Sequence, residues 1–201
     1  MKKLLLLCML AILVTAFGIR PEGLPIGAAI PKTDVKMKDV SGAIITLSDA
    51  RMPNGLLVMF SCNTCPYVIK NQGRTKAICA FAKDKDLGVI VLNSNEGGRH
   101  NGESFADMQT YAKQQSYSWY YALDSENELA DAFGATRTPE CFLFDKNGKL
   151  VYHGAIDDSP ADITEVKRNY LKLAITDMTQ GNDISVKESR SVGCSIRRKG
   201  T

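Results

Sequence analysis

This sequence of 201 residues has little of what marks several common protein classes. Its net charge is only +3, from 25 basic and 22 acidic residues, so it lacks the concentrated basic face that nucleic-acid binding requires. Six cysteines are too few to staple a scaffold of this size with disulfides. It contains no internal repeat and no glycine-rich phosphate loop after a strand, so no organic cofactor is implied. A hydrophobic content of 44% indicates an ordinary globular domain.

The chain opens with the pattern of a targeting segment. A short basic start is followed by an apolar stretch over residues 4–17, which falls short of the roughly 20 residues that span a bilayer. We expect residues 1–18 to be a signal peptide, with cleavage after Ala16 or Gly18, and a retained N-terminal anchor is the alternative. Export to the periplasm or outside the cell would place the protein where disulfides persist, with no stable membrane span after cleavage.

The remaining chain predicts one α/β domain. Residues 19–33 hold three prolines and predict a linker, residues 34–178 the domain, and residues 179–201 a polar tail. Strands that alternate with helices predict a central mixed β-sheet flanked by helices, with an N-terminal β-hairpin extension. The predicted elements are a hairpin over 35–47, strands at 56–60, 87–92, 119–123, 141–145 and 149–153, and helices at 68–83, 104–115, 126–133 and 162–178.

Two cysteines, Cys62 and Cys65, lie where a buried strand is followed by a helix. A helix N-terminus presents unpaired N–H groups and a positive dipole end, which stabilise a thiolate over a thiol. We expect Cys62 to be the accessible sulfur with the lower pKa, and Cys65, one turn inside the helix, to form a disulfide with it. A dithiol at this position predicts thiol–disulfide exchange.

The other cysteines and the histidines allow alternatives. The dithiol could be half of a zinc site, but such a site normally needs a second Cys or His pair, and the remaining candidates are isolated. Cys79 and Cys141 are expected to be small buried core residues. Cys194 lies in the tail, where it is either packed against the domain or a third redox cysteine that docks near the dithiol.

A family resemblance narrows this interpretation. It rests on five segments, Phe60–Val68, Asn93–Asn95, Thr138–Asp145, Ile156–Pro160 and Gly193–Ile196. In this order, over roughly residues 34–198, they resemble the thioredoxin superfamily and, within it, the peroxiredoxin-like branch of the redoxin (AhpC/TSA) group. The resemblance implies a thioredoxin-like fold. It also implies two partners, a disulfide-containing protein substrate and an upstream dithiol donor.

The resemblance gives Thr138 and Pro139 a role in substrate binding. Pro139 stands where the thioredoxin fold carries a cis-proline, which would bring the Thr138 backbone beside the Cys62 sulfur. Thr138 would then pair with a substrate polypeptide through strand-like hydrogen bonds. An ordinary trans-proline at the start of a strand is the alternative.

The chain also departs from its relatives. Ser61 stands where thioredoxins have a tryptophan. Peroxiredoxins place a threonine three residues before their peroxide-reacting cysteine, and if that cysteine is aligned with Cys65, the threonine position holds Cys62. The departure favours disulfide exchange over peroxide reduction, although Arg137 could still assist a peroxide-reacting thiolate.

The strand over residues 56–60 lacks the buried acid that assists proton transfer in many thioredoxins. Glu96 and Glu140 are possible substitutes, and a solvated loop carboxylate is the alternative for each.

The leading hypothesis is an exported thiol–disulfide oxidoreductase in which Cys62 attacks a substrate disulfide and Cys65 resolves the mixed disulfide. The second is a peroxidase that uses the same thiols, with Cys194 or Cys62 as the resolving cysteine. The third is a copper-binding assembly factor, with Cys62 and Cys65 as soft ligands and His153 as a third.

Overall fold

The computed structural model describes residues 23–200, so the predicted signal peptide lies outside the described residues. Within this range, no helix combines the length and apolar character needed to cross a membrane. The strands are β1 (Met37–Asp39), β2 (Ile44–Ile45), β3 (Leu56–Ser61), β4 (Gly88–Asn93), β5 (Tyr120–Leu123), β6 (Arg137–Thr138), β7 (Glu140–Phe144), β8 (Leu150–Gly154) and β9 (Cys194–Ser195). The helices are α1 (Leu47–Ala50), α2 (Pro66–Lys83), α3 (Phe105–Gln115), α4 (Glu128–Phe133) and α5 (Tyr170–Gln180).

A seven-stranded mixed sheet forms the centre of the domain, in the order β2-β1-β5-β4-β3-β7-β8. The strands β3, β4 and β5 are parallel neighbours, while β7 and β8 continue the sheet in antiparallel fashion beyond β3. The hairpin of β1 and β2 joins the other side of the sheet through antiparallel pairing with β5. The predicted fold class, a mixed sheet with an N-terminal hairpin extension, is therefore confirmed.

The alternation of side chains along β3 explains why its sequence is apolar throughout. Val58 and Phe60 point into a core cluster that includes Phe133 of α4. Leu57 and Met59 point to the opposite face, into a second cluster that includes residues of α2, α3 and α5. Successive side chains of a strand face opposite sides of a sheet, so a strand covered by helices on both faces needs apolar residues at every position.

The last helix is shorter than the sequence predicts. The expected helix over 162–178 begins only at α5, and a single 3₁₀ turn with an extended exit precedes it. Asp162 accepts hydrogen bonds from the backbone N–H and the hydroxyl of Thr164. Asp158 accepts from the backbone N–H groups of two residues just before α5. These carboxylates satisfy the backbone locally and compete with helix formation.

The predicted hairpin over 35–47 is also shorter, since β2 ends at Ile45. Thr46 and Asp49 form a capping box in which each side chain accepts a hydrogen bond from the other residue's backbone N–H. A capping box starts a helix, so the chain turns into the four-residue α1 at Leu47.

Both terminal segments lie against the sheet edge at β8. Gly27 donates its N–H to the Leu150 carbonyl oxygen at 2.8 Å, and the Leu150 N–H donates to Ala28 at 2.8 Å. From the other terminus, the N–H of Ser189 donates to the carbonyl oxygen of His153 at 3.0 Å. The expected linker from residue 23 onward and the expected tail are therefore ordered on the domain, and the tail continues from β8 to the cysteines.

Candidate active site

Three cysteines meet where β3 ends and α2 begins. Cys65 is the N-cap residue of α2 and forms a disulfide with Cys194, with 6.0 Å between their Cα atoms. Cys62 is a free thiol in the same buried cluster. The expected pairing of Cys62 with Cys65 is thus not the one present. The reason is strand pairing, because the register of β9 on β6 sets Cys194 opposite Thr138.

Cys62 is not the accessible, low-pKa thiol that the sequence predicts. Its side chain is 0% exposed. Burial, followed by the negative charge of Glu103, raises the pKa of Cys62 to about 11. The Thr138 hydroxyl, 3.4 Å from the Cys62 sulfur, and the backbone N–H groups of Thr64 and Cys65 lower it by less. The helix N-terminus does act on Cys62, but desolvation outweighs it.

Cys65 occupies the position that the helix favours for a thiolate. It lies at the positive end of the α2 dipole, where an anionic sulfur is stabilised. The next residue, Pro66, occupies the first turn and has no N–H to leave unpaired. The Cys65 sulfur lies 3.5 Å from the carbonyl oxygen of Thr138. Of the two dithiol sulfurs, this one faces the tail.

The Thr138–Pro139 peptide bond is cis, as the resemblance implies. Thr138 is 0% exposed and contacts both dithiol sulfurs, through its hydroxyl to Cys62 and its carbonyl oxygen to Cys65. The edge of β6 next to these sulfurs is covered by the tail strand β9.

A buried carboxylate that the sequence analysis missed lies beside the dithiol. Glu103 is 0% exposed. Its oxygens accept hydrogen bonds from the backbone N–H groups of Asn63 and Thr64 at 2.9 and 3.0 Å, and from the Thr64 hydroxyl at 2.6 Å. The Asn93 amide donates to it at 2.7 Å. Glu103 therefore holds both residues between the two cysteines, and its charge adds to the burial that raises the pKa of Cys62.

The loop that carries Glu103 is fitted closely to the dithiol loop. Gly102 has φ +80°, and a Cβ there would meet the Thr64 methyl at 2.7 Å. The Asn63 side-chain amide donates to the Gly102 carbonyl oxygen at 2.9 Å. One signal could have located this loop, because segments that follow neighbouring parallel strands meet at the same edge of a sheet. This rule predicts that the loop after β4 lies near the dithiol, but it does not predict which residue of that loop is buried.

The two proposed substitutes for the missing acid have other contacts. Glu140 is buried and accepts hydrogen bonds from the backbone N–H groups of Thr136 and Arg137, both at 2.8 Å. Its other oxygen lies 2.7 Å from His153 Nε2. Glu140 thereby shapes β6. Glu96 forms an ion pair of 3.3 Å with the guanidinium group of Arg99.

The remaining candidates are placed as follows. Arg137 is exposed and donates to the Ser195 hydroxyl of β9 at 2.8 Å. Cys79 and Cys141 are buried core residues, as predicted, and burial raises the pKa of both thiols well above the ordinary value. Among residues 23–200, no group of three His, Cys, Asp or Glu side chains is placed to hold a metal ion. His153, the third ligand of the copper alternative, is hydrogen-bonded through Nε2 to Glu140.

Comparison with known proteins identifies a family and several solved structures that this chain resembles. The model of the Redoxin family matches residues 25–169. A hypothetical protein from Sinorhizobium meliloti 1021 has a similar structure, with a TM-score of 0.81 and 27% identity over 89% of this chain and 97% of that one. An uncharacterized conserved protein from Geobacillus kaustophilus also has a TM-score of 0.81, with 28% identity over 88% and 94% of the two chains.

The fold is also that of better-described proteins. The thioredoxin domain of a thiol-disulfide oxidoreductase from Bacteroides vulgatus has a TM-score of 0.53 and 18% identity, over 65% of this chain and 88% of that one. The fold is therefore thioredoxin-like. A comparison with curated proteins finds no match.

Proposed function

We propose that this chain, which belongs to the Redoxin family, is a thiol–disulfide oxidoreductase that reduces or exchanges disulfides of protein substrates at Cys65 and Cys62. One observation carries the proposal. Cys65 is joined by a disulfide to a cysteine of an extended segment, while Cys62 remains a free thiol in the same buried cluster. A mixed disulfide with its resolving thiol beside it has this arrangement.

The geometry supports roles opposite to those expected from the sequence. Cys65 lies at the helix N-terminus and at the edge where a substrate segment would pair, so it is the better initial nucleophile. Cys62 is buried with a pKa raised to about 11, so its sulfur is protonated at neutral pH while that edge is occupied. We assign the first attack to Cys65 and the resolving attack to Cys62.

The reaction balances without a cofactor. The Cys65 thiolate attacks one sulfur of a substrate disulfide, a Cys65–substrate bond forms, and the other substrate sulfur leaves as a thiolate. Cys62 loses its proton and attacks the Cys65 sulfur, which releases the second substrate thiolate and leaves a Cys62–Cys65 disulfide. An upstream dithiol donor then reduces this disulfide and is itself oxidised.

Reduction of insulin with dithiothreitol as the electron donor tests the proposal. We expect the full-length protein to be active and Cys65→Ser to be inactive. In a separate incubation without dithiothreitol, the reduced Cys62→Ser, Cys194→Ser double variant should accumulate a mixed disulfide between Cys65 and an insulin chain, visible by mass, because neither Cys62 nor Cys194 is left to resolve it. Cys79→Ala is the control, because Cys79 lies in the core on α2, and it should keep the activity. If Cys65→Ser instead traps insulin on Cys62, the roles are those that the sequence predicts. Activity in both serine variants would overturn the proposal.

A peroxidase is the second candidate, and it is favoured because the disulfide joins Cys65 to Cys194 and not to Cys62. If the Cys65 thiolate attacked hydrogen peroxide, the O–O bond would break, the sulfur would become a sulfenic acid and the other oxygen would leave as water after taking up a proton. The thiol of Cys194 would then form the observed bond with release of a second water. Hydrogen-peroxide consumption with dithiothreitol as donor, corrected for the Cys65→Ser background, discriminates the two. The Cys194→Ser variant should lose peroxide turnover if Cys194 resolves it, yet keep insulin reduction.

We also propose that the protein works outside the cytoplasm. The signal-peptide pattern of residues 1–18 supports this, and so does a disulfide that closes the resting form, since such bonds persist in oxidising compartments. Cell fractionation followed by N-terminal sequencing tests it. We expect the mature chain in the exported fraction to begin after Ala16 or Gly18, and an uncleaved chain in the cytoplasm would contradict the proposal.

A further inference from the structure

We propose that the edge of β6 binds extended cysteine-containing segments of the type glycine–cysteine–polar–aliphatic, and that residues 193–196 of this chain are its resident occupant. This inference rests on the proposed function and names the substrate class of the same site. The tail then acts as an internal competitor that must leave before a substrate enters.

The backbone of the tail is held as a strand. Residues Cys194 and Ser195 pair with β6 in antiparallel register, with Cys194 opposite Thr138. The Ile196 N–H donates to the Thr136 carbonyl oxygen at 3.0 Å. Main-chain hydrogen bonds of this kind accept many side chains and give binding strength without selectivity. Selectivity must come from the side-chain positions around the cysteine.

The position before the cysteine favours glycine. A Cβ at Gly193 would lie 2.0 Å from the Thr138 carbonyl oxygen and 2.8 Å from its carbonyl carbon. These are backbone atoms of a residue that is 0% exposed, so they cannot move aside as a flexible side chain would. A bound segment with any other residue there would have to leave the register that places its cysteine over Cys65.

The two positions after the cysteine have different requirements. Ser195 accepts a hydrogen bond from exposed Arg137 at 2.8 Å, so a small polar residue suits this place. Ile196 is 5% exposed and packs into the core cluster that contains Phe60 and Phe133. A polar residue in place of Ile196 would lose this burial and leave its own polar group without water.

Release of the tail needs no external reagent. Cys62 loses its proton and attacks the Cys65 sulfur, so that a Cys62–Cys65 bond forms and the Cys65–Cys194 bond breaks. The electron pair leaves on the Cys194 sulfur, which takes up a proton. No net oxidation or reduction occurs, and the oxidised protein is thus a pair of disulfide isomers, one with the edge occupied and one with it free.

Reaction with synthetic peptides tests the selectivity. The reduced full-length Cys194→Ser variant is mixed with a peptide that copies residues 191–197, with its cysteine joined to thionitrobenzoate. Two further peptides carry alanine in place of the glycine or serine in place of the isoleucine. Thionitrobenzoate release is normalised to the rate of each peptide with dithiothreitol.

We expect the copied peptide to react about tenfold faster than either altered peptide, in line with discrimination by small apolar groups in a fitted site. Equal normalised rates, all well above those of the Cys65→Ser, Cys194→Ser double variant, would overturn this inference and leave the proposed function standing. Rates no higher than those of that double variant would instead overturn the proposed function, so the two failures are distinguishable.

A second measurement tests the tail in place. Gly193→Ala is compared with Gly73→Ala, in which the added Cβ on α2 meets no atom within 4 Å. Free thiols of each oxidised protein are trapped and mapped by mass. We expect Gly193→Ala to shift the disulfide to Cys62–Cys65 and free Cys194, while Gly73→Ala keeps Cys65–Cys194 as the parent protein does. A Gly193→Ala protein that keeps Cys65–Cys194 in full would overturn the inference.

Discussion

Two buried glutamates, Glu103 and Glu140, organise different parts of the site with the same hydrogen-bonding device. Each accepts the backbone N–H groups of two consecutive residues, those between the cysteines for Glu103 and those at β6 for Glu140. Only Glu103 is among the charges that raise the pKa of Cys62. The comparison teaches that such a carboxylate acts through the segment it holds, which is the pair of residues between the two cysteines in one case and the start of β6 in the other.

Removing each carboxylate in turn is the most direct test of this comparison. Glu103→Ala leaves the buried donors of Asn63 and Asn93 without this acceptor, each costing about 1–3 kcal/mol, so we expect a loss of about 4 kcal/mol in the free energy of unfolding. The backbone donors to Glu140 are only partly buried, so water can replace the acceptor and Glu140→Ala should cost about 2 kcal/mol. Urea unfolding of the oxidised proteins measures both, and equal losses would contradict the difference in burial.

Charge can be separated from packing with the isosteric amides. Glu103→Gln removes the carboxylate that disfavours the Cys62 thiolate but leaves the burial that is the larger cause, so the pKa of Cys62 should fall part of the way from about 11 towards its ordinary value of 9.0. At a fixed pH below both values, each unit of decrease raises the thiolate fraction about tenfold. Alkylation of Cys62 across pH 8 to 11, in the form with the Cys65–Cys194 bond, should therefore accelerate.

Glu140→Gln is the matched control for that measurement. Because Glu140 is not among the charges that raise the pKa of Cys62, its alkylation profile should stay where it is in the parent protein. A shift of similar size in both variants would show that general loosening, and not the charge of Glu103, governs Cys62.

Burial of Cys62 also makes stability depend on pH. Its pKa is raised in the folded oxidised protein, so this thiol favours folding fully below pH 9, and its contribution is lost as pH rises towards 11 because the unfolded thiol ionises first. Cys62→Ala should therefore lose less stability than the parent protein between pH 8 and 10.5 in urea unfolding. Identical pH profiles would contradict the burial of this thiol.

The smallest expected effects on stability concern the side chains that hold the tail against β6, the strand that Glu140 supports. Ile196→Ala removes a buried side chain at the rim of the core and should cost about 2 kcal/mol in urea unfolding. Lys199→Ala removes an exposed ion pair with Glu126, and such pairs contribute little, so its melting temperature should match the parent's. A larger effect for Lys199→Ala would mean that charge, not apolar contact, holds the tail.

Local patterns explain what the sequence predicted well. The apolar residues of β3 and the helix that follows depend on neighbours in the chain. Strand-to-helix periodicity therefore sufficed to place Cys62 and Cys65 at the end of the sheet. The cis peptide bond before Pro139 was implied by the family resemblance and not by a local pattern.

The missed features all depend on contacts between distant parts of the chain. Glu103 reaches the dithiol loop from about 40 residues away, and nothing in its neighbourhood marks it as buried. The two-residue strand β9 is too short to show periodicity, so the sequence predicted a polar tail with no strand in it, although docking of Cys194 near the dithiol was one of the two alternatives and is the one observed. The pKa of Cys62 was predicted in the wrong direction for the same reason, because the desolvation that raises it comes from segments that only the fold brings together.

The bond between Cys65 and Cys194 joins residues 129 positions apart, so it closes most of the domain into one covalent ring. In the chain-entropy description, a ring of this size adds about 5 kcal/mol of resistance to unfolding. In the proposed cycle, release of Cys194 opens that ring, and a substrate joined to Cys65 in its place restores a sulfur–sulfur bond but not the ring. The proposed cycle therefore implies that the resting form resists unfolding and proteolysis better than the form that holds a substrate.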